Sequence, residues 1–285
     1  MIQNNSVSIT SEEFESILEI LKNRTGIVPR ASHRDGIKSY IESRIAAKNL
    51  TFLGYKNAIV SDDVFFTEFV NESTVNETYF FREEKQFILL KERIFPQWRM
   101  MYGSSRIRIW SAACSYGEEA YSLALLAKTC GLTVSVTASD INSIVLKHCE
   151  SGIFLGSSVR SVDGVIFQNL LSPYKTDDGK IEFDSEIKDC IRTQRLNLSM
   201  IDSPSIAGLL PKNQNIVFLR NVFIYFSQEL RARILRTIAE ECLADDGILF
   251  VSMSEIAQIG SDILPPSLEK VFDGNVFYLH KKEVK

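Results

Sequence analysis

Apolar positions recur at helical spacing through the first ninety residues and at strand spacing after Arg106, and the change of period predicts two domains. Thr10, with Glu13 three residues on, forms a capping-box pattern, and Phe14, Ile17, Leu18 and Leu21 follow along one helix face. Gly26 and Pro29 are stop signals for that helix. A second helix is expected from about Ser32, with Ile37, Tyr40, Ile41 and Ile45 as its packing stripe. Further helices are expected around 62–71 and 83–95.

From Arg106 the pattern is that of an α/β domain. Strands are expected at Arg106–Ala112, Val134–Ser139, Arg192–Leu198, Ile216–Leu219, Ile248–Met253 and Val276–His280. Between them fall helices at Glu118–Cys130, Asn142–Ser151 and Gln228–Leu243, the last before an Asp245-Asp246-Gly247 turn. Residues 152–190 break the alternation, with polar turns at Thr176–Gly179 and short apolar pieces such as Ile181–Phe183, and read as an insertion. The expected layout is a helical domain over 1–90 and an α/β domain over 91–285 carrying that insertion.

Composition narrows the classes. Hydrophobic residues are 45% and charged residues 24%, as in soluble globular proteins. The start Met1-Ile2-Gln3-Asn4-Asn5 lacks the basic residues and apolar run of a signal peptide, and no apolar stretch approaches the ~18 residues that cross a bilayer, so a cytoplasmic protein is expected, without membrane insertion. Five cysteines without close pairing argue against a disulfide framework. With only three well-separated histidines, no metal site is expected. A net charge of -4 gives no support to nucleic-acid binding. Residues 22–56 nevertheless carry eight Lys or Arg against Asp35 and Glu42, a local +6 that suits either an acidic partner or an ordinary solvated face. Arg34, Lys38 and Arg44 are the docking candidates within it.

The candidate chemistry lies where the first α/β strand ends. Ser111-Ala112-Ala113-Cys114-Ser115-Tyr116-Gly117 is a small-residue loop leading into a helix that opens with Glu118-Glu119. The next strand ends in Asp140, 23 residues after Gly117. Open α/β sheets bind ligands outside the carboxyl ends of their strands, and small residues allow close backbone approach. Two acids at the helix start would repel a pyrophosphate, and the Gly-x-Gly-x-x-Gly spacing is absent. The same acids suit a cationic nucleoside such as S-adenosylmethionine, with Glu118 accepting from its ammonium and Asp140 from its ribose; capping a helix and ending a strand is the competing role for them.

Three blocks resemble the CheR-type chemotaxis receptor methyltransferases, and the resemblance covers nearly the whole chain. They are Asn76-Glu77-Thr78-Tyr79-Phe80-Phe81-Arg82-Glu83, Trp110–Ser122, and Arg220-Asn221-Val222-Phe223-Ile224-Tyr225-Phe226. Ala138-Ser139-Asp140-Ile141 and Ser252-Met253-Ser254-Glu255 fall where lesser family motifs stand. The resemblance implies a Rossmann-like methyltransferase sheet with an N-terminal helical domain, S-adenosylmethionine as cofactor and S-adenosylhomocysteine as product. It implies that Asn76, Thr78, Arg82, Ala112, Glu118, Asp140, Asn197, Leu198, Asn221 and Tyr225 surround the cofactor. Arg82 would orient the acceptor's carboxylate or the cofactor's, and Tyr225 would shape the transfer pocket. The implied acceptors are glutamates on chemoreceptor cytoplasmic helices, with location at receptor arrays and a receptor C-terminal peptide as a further partner at the insertion. The chain departs from the family pattern at Tyr116 (commonly Thr), Ala120 (Pro) and Leu219 (Cys), and Asn215 stands near the family's Asp. A glutamate carboxylate, pKa about 4.3, is already a nucleophile at neutral pH, so no general base is required. The competing readings are methylation of another substrate and a non-catalytic signalling module with the same fold.

Overall fold

Thr10 accepts from the Glu13 amide while Glu13 reaches back to Thr10, and the helix they start, α1 (Ser11–Thr25), stops at Gly26 with φ 71°. This is the first element of a computed structural model that describes residues 7–103 and 105–282. Three more helices follow: α2 (Ala31–Ala47), α3 (Phe52–Ser61) and α4 (Asp63–Ser73). The stripe expected on α2 is buried at Ile37, Ile41 and Ile45. The α3 helix was not foreseen; Thr51 caps it by accepting from the Gly54 amide. Tyr55 of α3 meets Phe69 of α4 edge-on at 6.5 Å, and α1 packs on α3 and α2 on α4.

The chain divides into two compact units, one running to Val75 and including Tyr225–Ser227, the other comprising Asn76–Ile224 and Gln228 onward. Residues 76–90, grouped with the helices in the sequence reading, thus lie in the α/β unit, because Phe80, Phe81, Phe87, Leu89 and Leu90 belong to its core. In that unit α5 (Glu84–Leu89) continues through one wide turn into α6 (Phe95–Tyr102). Then come β1 (Ile107–Ala112), α7 (Glu118–Thr129), β2 (Val134–Asp140) and α8 (Ser143–Ser151). The insertion holds β3 (Ile153–Phe154), α9 (Gln168–Leu171), β4 (Ile181–Glu182) and α10 (Ser185–Lys188). The unit closes with β5 (Ile191–Arg195), β6 (Gln214–Leu219), α11 (Gln228–Thr237), β7 (Leu243–Phe250), β8 (Leu268–Asp273) and β9 (Val276–Lys281).

The sheet order is β5-β2-β1-β6-β7-β9-β8. The first five strands are parallel, and β9 runs antiparallel to both β7 and β8. Strand order reverses between β1 and β6, which opens a crevice at their carboxyl ends. Helix α7 packs on β1, β2 and β5 with nearly every residue from Ala120 to Ala127 buried, as a helix enclosed by its own domain must be. Two expectations are corrected. The helix expected to reach Leu243 ends its α-helical part at Thr237, and a wide turn, Ile238–Cys242, leads straight into β7. Asp245-Asp246-Gly247 is not a turn ahead of the strand but a bulge within it. There β6 pairs Gln214 with Leu243 and Ile216 with Ile248, so the extra β7 residues loop out and Asp246 takes φ 61°. The edge strand β8 was also not foreseen.

Candidate functional site

Strand β1 ends in buried Ala112, and the chain then turns through left-handed backbone at Ala113 (φ 61°), Ser115 (φ 53°) and Gly117 (φ 105°) before α7 begins. Neighbouring strand ends hold this loop. Cys114 N donates to the Ser139 carbonyl (2.9 Å), and Ser115 N donates to Asp140 Oδ2 (2.9 Å). Ser115 Oγ donates to the Asn76 carbonyl at 3.1 Å. A side chain at position 117 has no room, since a Cβ there would stand 2.5 Å from Cys149 Sγ. Of the eight described non-glycine residues with positive φ, five lie in this region: Phe81, Glu83, Ala113, Ser115 and Asn221. Such concentration of strained backbone is typical of sites whose geometry the fold must impose.

Two buried carboxylates flank the loop. Asp140 is 7% exposed, and its other oxygen, Oδ1, accepts from Asn142 N at 2.9 Å. Burial pushes its pKa up, opposed by those backbone amides. Each oxygen keeps an acceptor position beyond its amide bond, so the residue can anchor the loop and also accept from a hydroxyl. Glu118 is 3% exposed; its Oε1 accepts from Ser158 Oγ at 2.7 Å, and its Oε2 is buried with no partner among the described residues. Burial raises its pKa as well, with the Ser158 bond opposing. A buried carboxylate oxygen left unpaired costs free energy unless a ligand donor meets it.

The opposite wall is built around Arg220, just past β6. Its Nε donates to Glu119 Oε2 (2.8 Å), and its Nη1 donates to the Arg82 carbonyl (2.7 Å) and to Gln86 Oε1 (3.0 Å). Asn221 is held in its left-handed conformation by Glu255, which accepts from Asn221 N and from Phe223 N at 2.8 Å each. Asn221 Nδ2 donates to Ser252 Oγ at 3.1 Å, and Ser252 Oγ in turn donates to Glu83. Arg82 Nη1 donates to the Glu77 carbonyl at 2.8 Å, and its guanidinium lies 5.5 Å from the Tyr79 ring centre. No carboxylate pairs with Arg82 among the described residues. Asn197 caps the turn after β5 by accepting from Ser199 N (3.0 Å), beside Leu196, whose N–H donates to the Asp140 carbonyl at 2.9 Å.

Asn76, Thr78, Arg82, Ala112, Glu118, Asp140, Asn197, Leu198 and Asn221 thus all fall in the α/β unit, and hydrogen bonds link the segments carrying Asn76, Arg82, Glu118, Asp140 and Asn221 to the loop or to its facing wall. Tyr225 is grouped with the helical unit instead, where its carbonyl accepts from Val28 N at 3.1 Å and Arg30 lies over its ring at 5.9 Å. The docking candidates on α2 are already partnered: Arg34 with Glu15, Lys38 with Glu42 at 3.9 Å, and Arg44 with Glu68. Glu15 and Glu68 lie outside 22–56, so the local charge is smaller than the segment's sum. Asn215 lies far from the loop, at the start of β6, where its Oδ1 accepts from Arg108 N at 2.9 Å. In the sequence Glu119 stands only as a charge unfavourable to phosphate, and Arg220 and Glu255 only as members of motif blocks; none of them shows its structural partner. An arginine following the apolar run Ile216–Leu219 was the available signal, since a buried guanidinium requires a counter-charge. A separate cavity of about 630 Å³, lined by Arg106, Arg108 and Asn213 among others, opens at the amino ends of β1, β6 and β7, the wrong end for a ligand of this fold.

The sequence profile "CheR methyltransferase, SAM binding domain" matches residues 76–264. The "Chemotaxis protein methyltransferase" of Escherichia coli (strain K12) is 31% identical over 257 residues, covering 87% of this chain and 86% of that protein. The protein of the same name from Borreliella burgdorferi is 28% identical over 264 residues, 88% of this chain and 90% of that one. The cofactor is S-adenosylmethionine, and the residues present fit it: the unpaired Glu118 oxygen matches a cationic amino group, and the small, strained loop leaves room for close approach. The chain belongs to the CheR methyltransferase family.

Proposed function

We propose that this enzyme methylates glutamate side chains on chemoreceptor cytoplasmic helices, giving glutamyl methyl esters. The reading is supported by the chemotaxis methyltransferases that this chain resembles; within the pocket, Arg82 is a guanidinium with no carboxylate partner among the described residues. When bound, S-adenosylmethionine supplies an electrophilic methyl group on a sulfonium. Glu118 receives its ammonium and Asp140 its ribose, with Asn76, Thr78 and Asn197-Leu198 completing the pocket. Arg82 takes the cofactor's carboxylate, since an arginine bound to the attacking oxygen would lower that oxygen's nucleophilicity. Asn221, fixed by Glu255 and Ser252, lines the pocket. The acceptor carboxylate arrives ionised and needs no base; alignment and partial removal of water accelerate the attack by several kcal/mol.

The same reading gives the helical domain the docking of an acidic receptor helix through Arg34, Lys38 and Arg44. It makes the insertion the place for a receptor C-terminal peptide, and the cytoplasmic receptor array the working location. The test uses radiolabelled cofactor with receptor cytoplasmic fragments. Label released as methanol by mild alkali is expected, and alkali-stable label on every fragment defeats the ester assignment. R82A should bind S-adenosylhomocysteine at least tenfold more weakly; a raised acceptor KM with unchanged cofactor affinity would move Arg82 to the substrate.

A further inference from the structure

The segment carrying Arg82 is held from a direction the reaction does not require. Phe81 (φ 56°) and Glu83 (φ 61°) both adopt left-handed backbone, and the peptide unit between Arg82 and Glu83 is clamped on both sides. Its carbonyl accepts from Arg220 Nη1 at 2.7 Å, and its N–H donates to Asp163 Oδ2 at 2.7 Å. Asp163 lies in the insertion, eighty residues along the chain. Its Oδ2 also accepts from Tyr79 Oη at 3.0 Å, and its Oδ1 accepts from Glu84 N and Gly164 N at 3.0 Å each. Glu83 gives α5 no side-chain cap of its own, so Asp163 supplies that cap from elsewhere in the chain.

The packing around it is equally close. A Cβ on Gly164 would stand 2.7 Å from the Phe80 carbonyl, and Phe81 stacks on Phe167 at 4.6 Å. Phe80 N donates to the Ser158 carbonyl at 2.9 Å, while Ser158 Oγ donates to Glu118. Residues 158–167 therefore touch both the Arg82 segment and the carboxylate of the cofactor pocket.

We propose that Asp163 is a positioning residue for methyl transfer: it fixes the strained 79–84 backbone so that Arg82 is presented to the cofactor. The proposal rests on the assignment of Arg82 made above. A carboxylate is suited to this because it alone accepts three amides and a phenol at once, and ionised acceptors make the stronger bonds. The experiment is a double-mutant cycle on S-adenosylhomocysteine affinity by calorimetry, using the full chain as wild type, D163A, R82A and D163A/R82A. D163A should bind about tenfold more weakly, and adding it to R82A should cost less than twofold more, because its effect passes through Arg82. Tyr79→Phe, which removes one of the four bonds, should cost about threefold, and Asp163→Asn, which keeps one accepting oxygen, should restore part of the loss. These two variants decide the matter if D163A does not fold. Wild-type affinity in D163A or Y79F, or losses that multiply in the double variant, overturn the proposal and leave the Arg82 assignment standing. Wild-type affinity in R82A overturns that assignment and, with it, the route proposed for Asp163.

Discussion

Replacing Glu118 by Gln should strengthen the unliganded fold and weaken cofactor binding, two effects of opposite sign from one atom. The side chain keeps its size and its acceptor for Ser158 Oγ, but the buried, unpartnered Oε2 is replaced by a neutral amide. Removing an uncompensated buried charge should stabilise the free protein by about 1 kcal/mol, or roughly 2–4 °C in Tm for a unit of this size. Losing a charged hydrogen bond to the cofactor's ammonium should cost about 1.5–3 kcal/mol, roughly 10- to 150-fold in Kd. The pH dependence follows the same logic. Burial raises the pKa of Glu118 above its ordinary value, so the folded protein holds a proton more readily than the unfolded chain does. The unliganded fold should therefore lose stability as pH rises from the ordinary glutamate range through that raised value. Cofactor affinity should rise across the same window as the carboxylate ionises, with proton release on binding, and E118Q should flatten both slopes. Thermal melts and calorimetry in two buffers of different ionisation enthalpy would measure these effects. Unchanged affinity in E118Q, or a lower Tm for its free form, refutes the argument.

Asp140→Ala should weaken cofactor binding by roughly 1–3 kcal/mol, and hydrogen exchange at Ser115 N should quicken because its acceptor is gone. Gly117→Ala should destabilise the protein by about 2 kcal/mol or more in a denaturant titration, since φ of 105° and the 2.5 Å approach to Cys149 both oppose a side chain. Reversing Arg34 and Lys38 together to Glu should raise the receptor KM at low salt and leave cofactor Kd unchanged. The effect should fade toward 1 M salt, where the Debye length is about 3 Å; a KM indifferent to salt and to the substitutions makes the segment only a solvated face.

Local signals carried most of the fold into the sequence. The Thr10–Glu13 box, the Gly26 stop, the run from Ile107 to Ala112 and the acid closing β2 each act through neighbours within a few positions, so their pattern is visible along the chain. What escaped depends on partners far away. The bulge at Asp245–Gly247 exists because β6 fixes the pairing on either side of it, and an acidic Asp-Asp-Gly read alone looks like any turn. Residues 76–90 look helical in isolation, and only the burial of Phe80, Phe81 and Phe87 shows which unit owns them. The candidate site residues were legible through their motifs, but their partners were not. Glu119 appeared as a charge that excludes phosphate, whereas its carboxylate is occupied by an arginine 101 positions later.

The central position of β6 between β1 and β7 sets the order in which the pocket can assemble. As the chain leaves the ribosome, β1 and β2 are available to pair early, yet the loop between β1 and α7 still lacks its facing wall. Arg220 emerges about a hundred residues after Glu119, and Glu255, which holds Asn221, comes later still. Long-range closures of this kind are slow and come late in folding. A nascent chain released before Glu255 therefore carries the glycine-edged loop, Glu118 and Asp140 but lacks the carboxylate that holds Asn221 and Phe223.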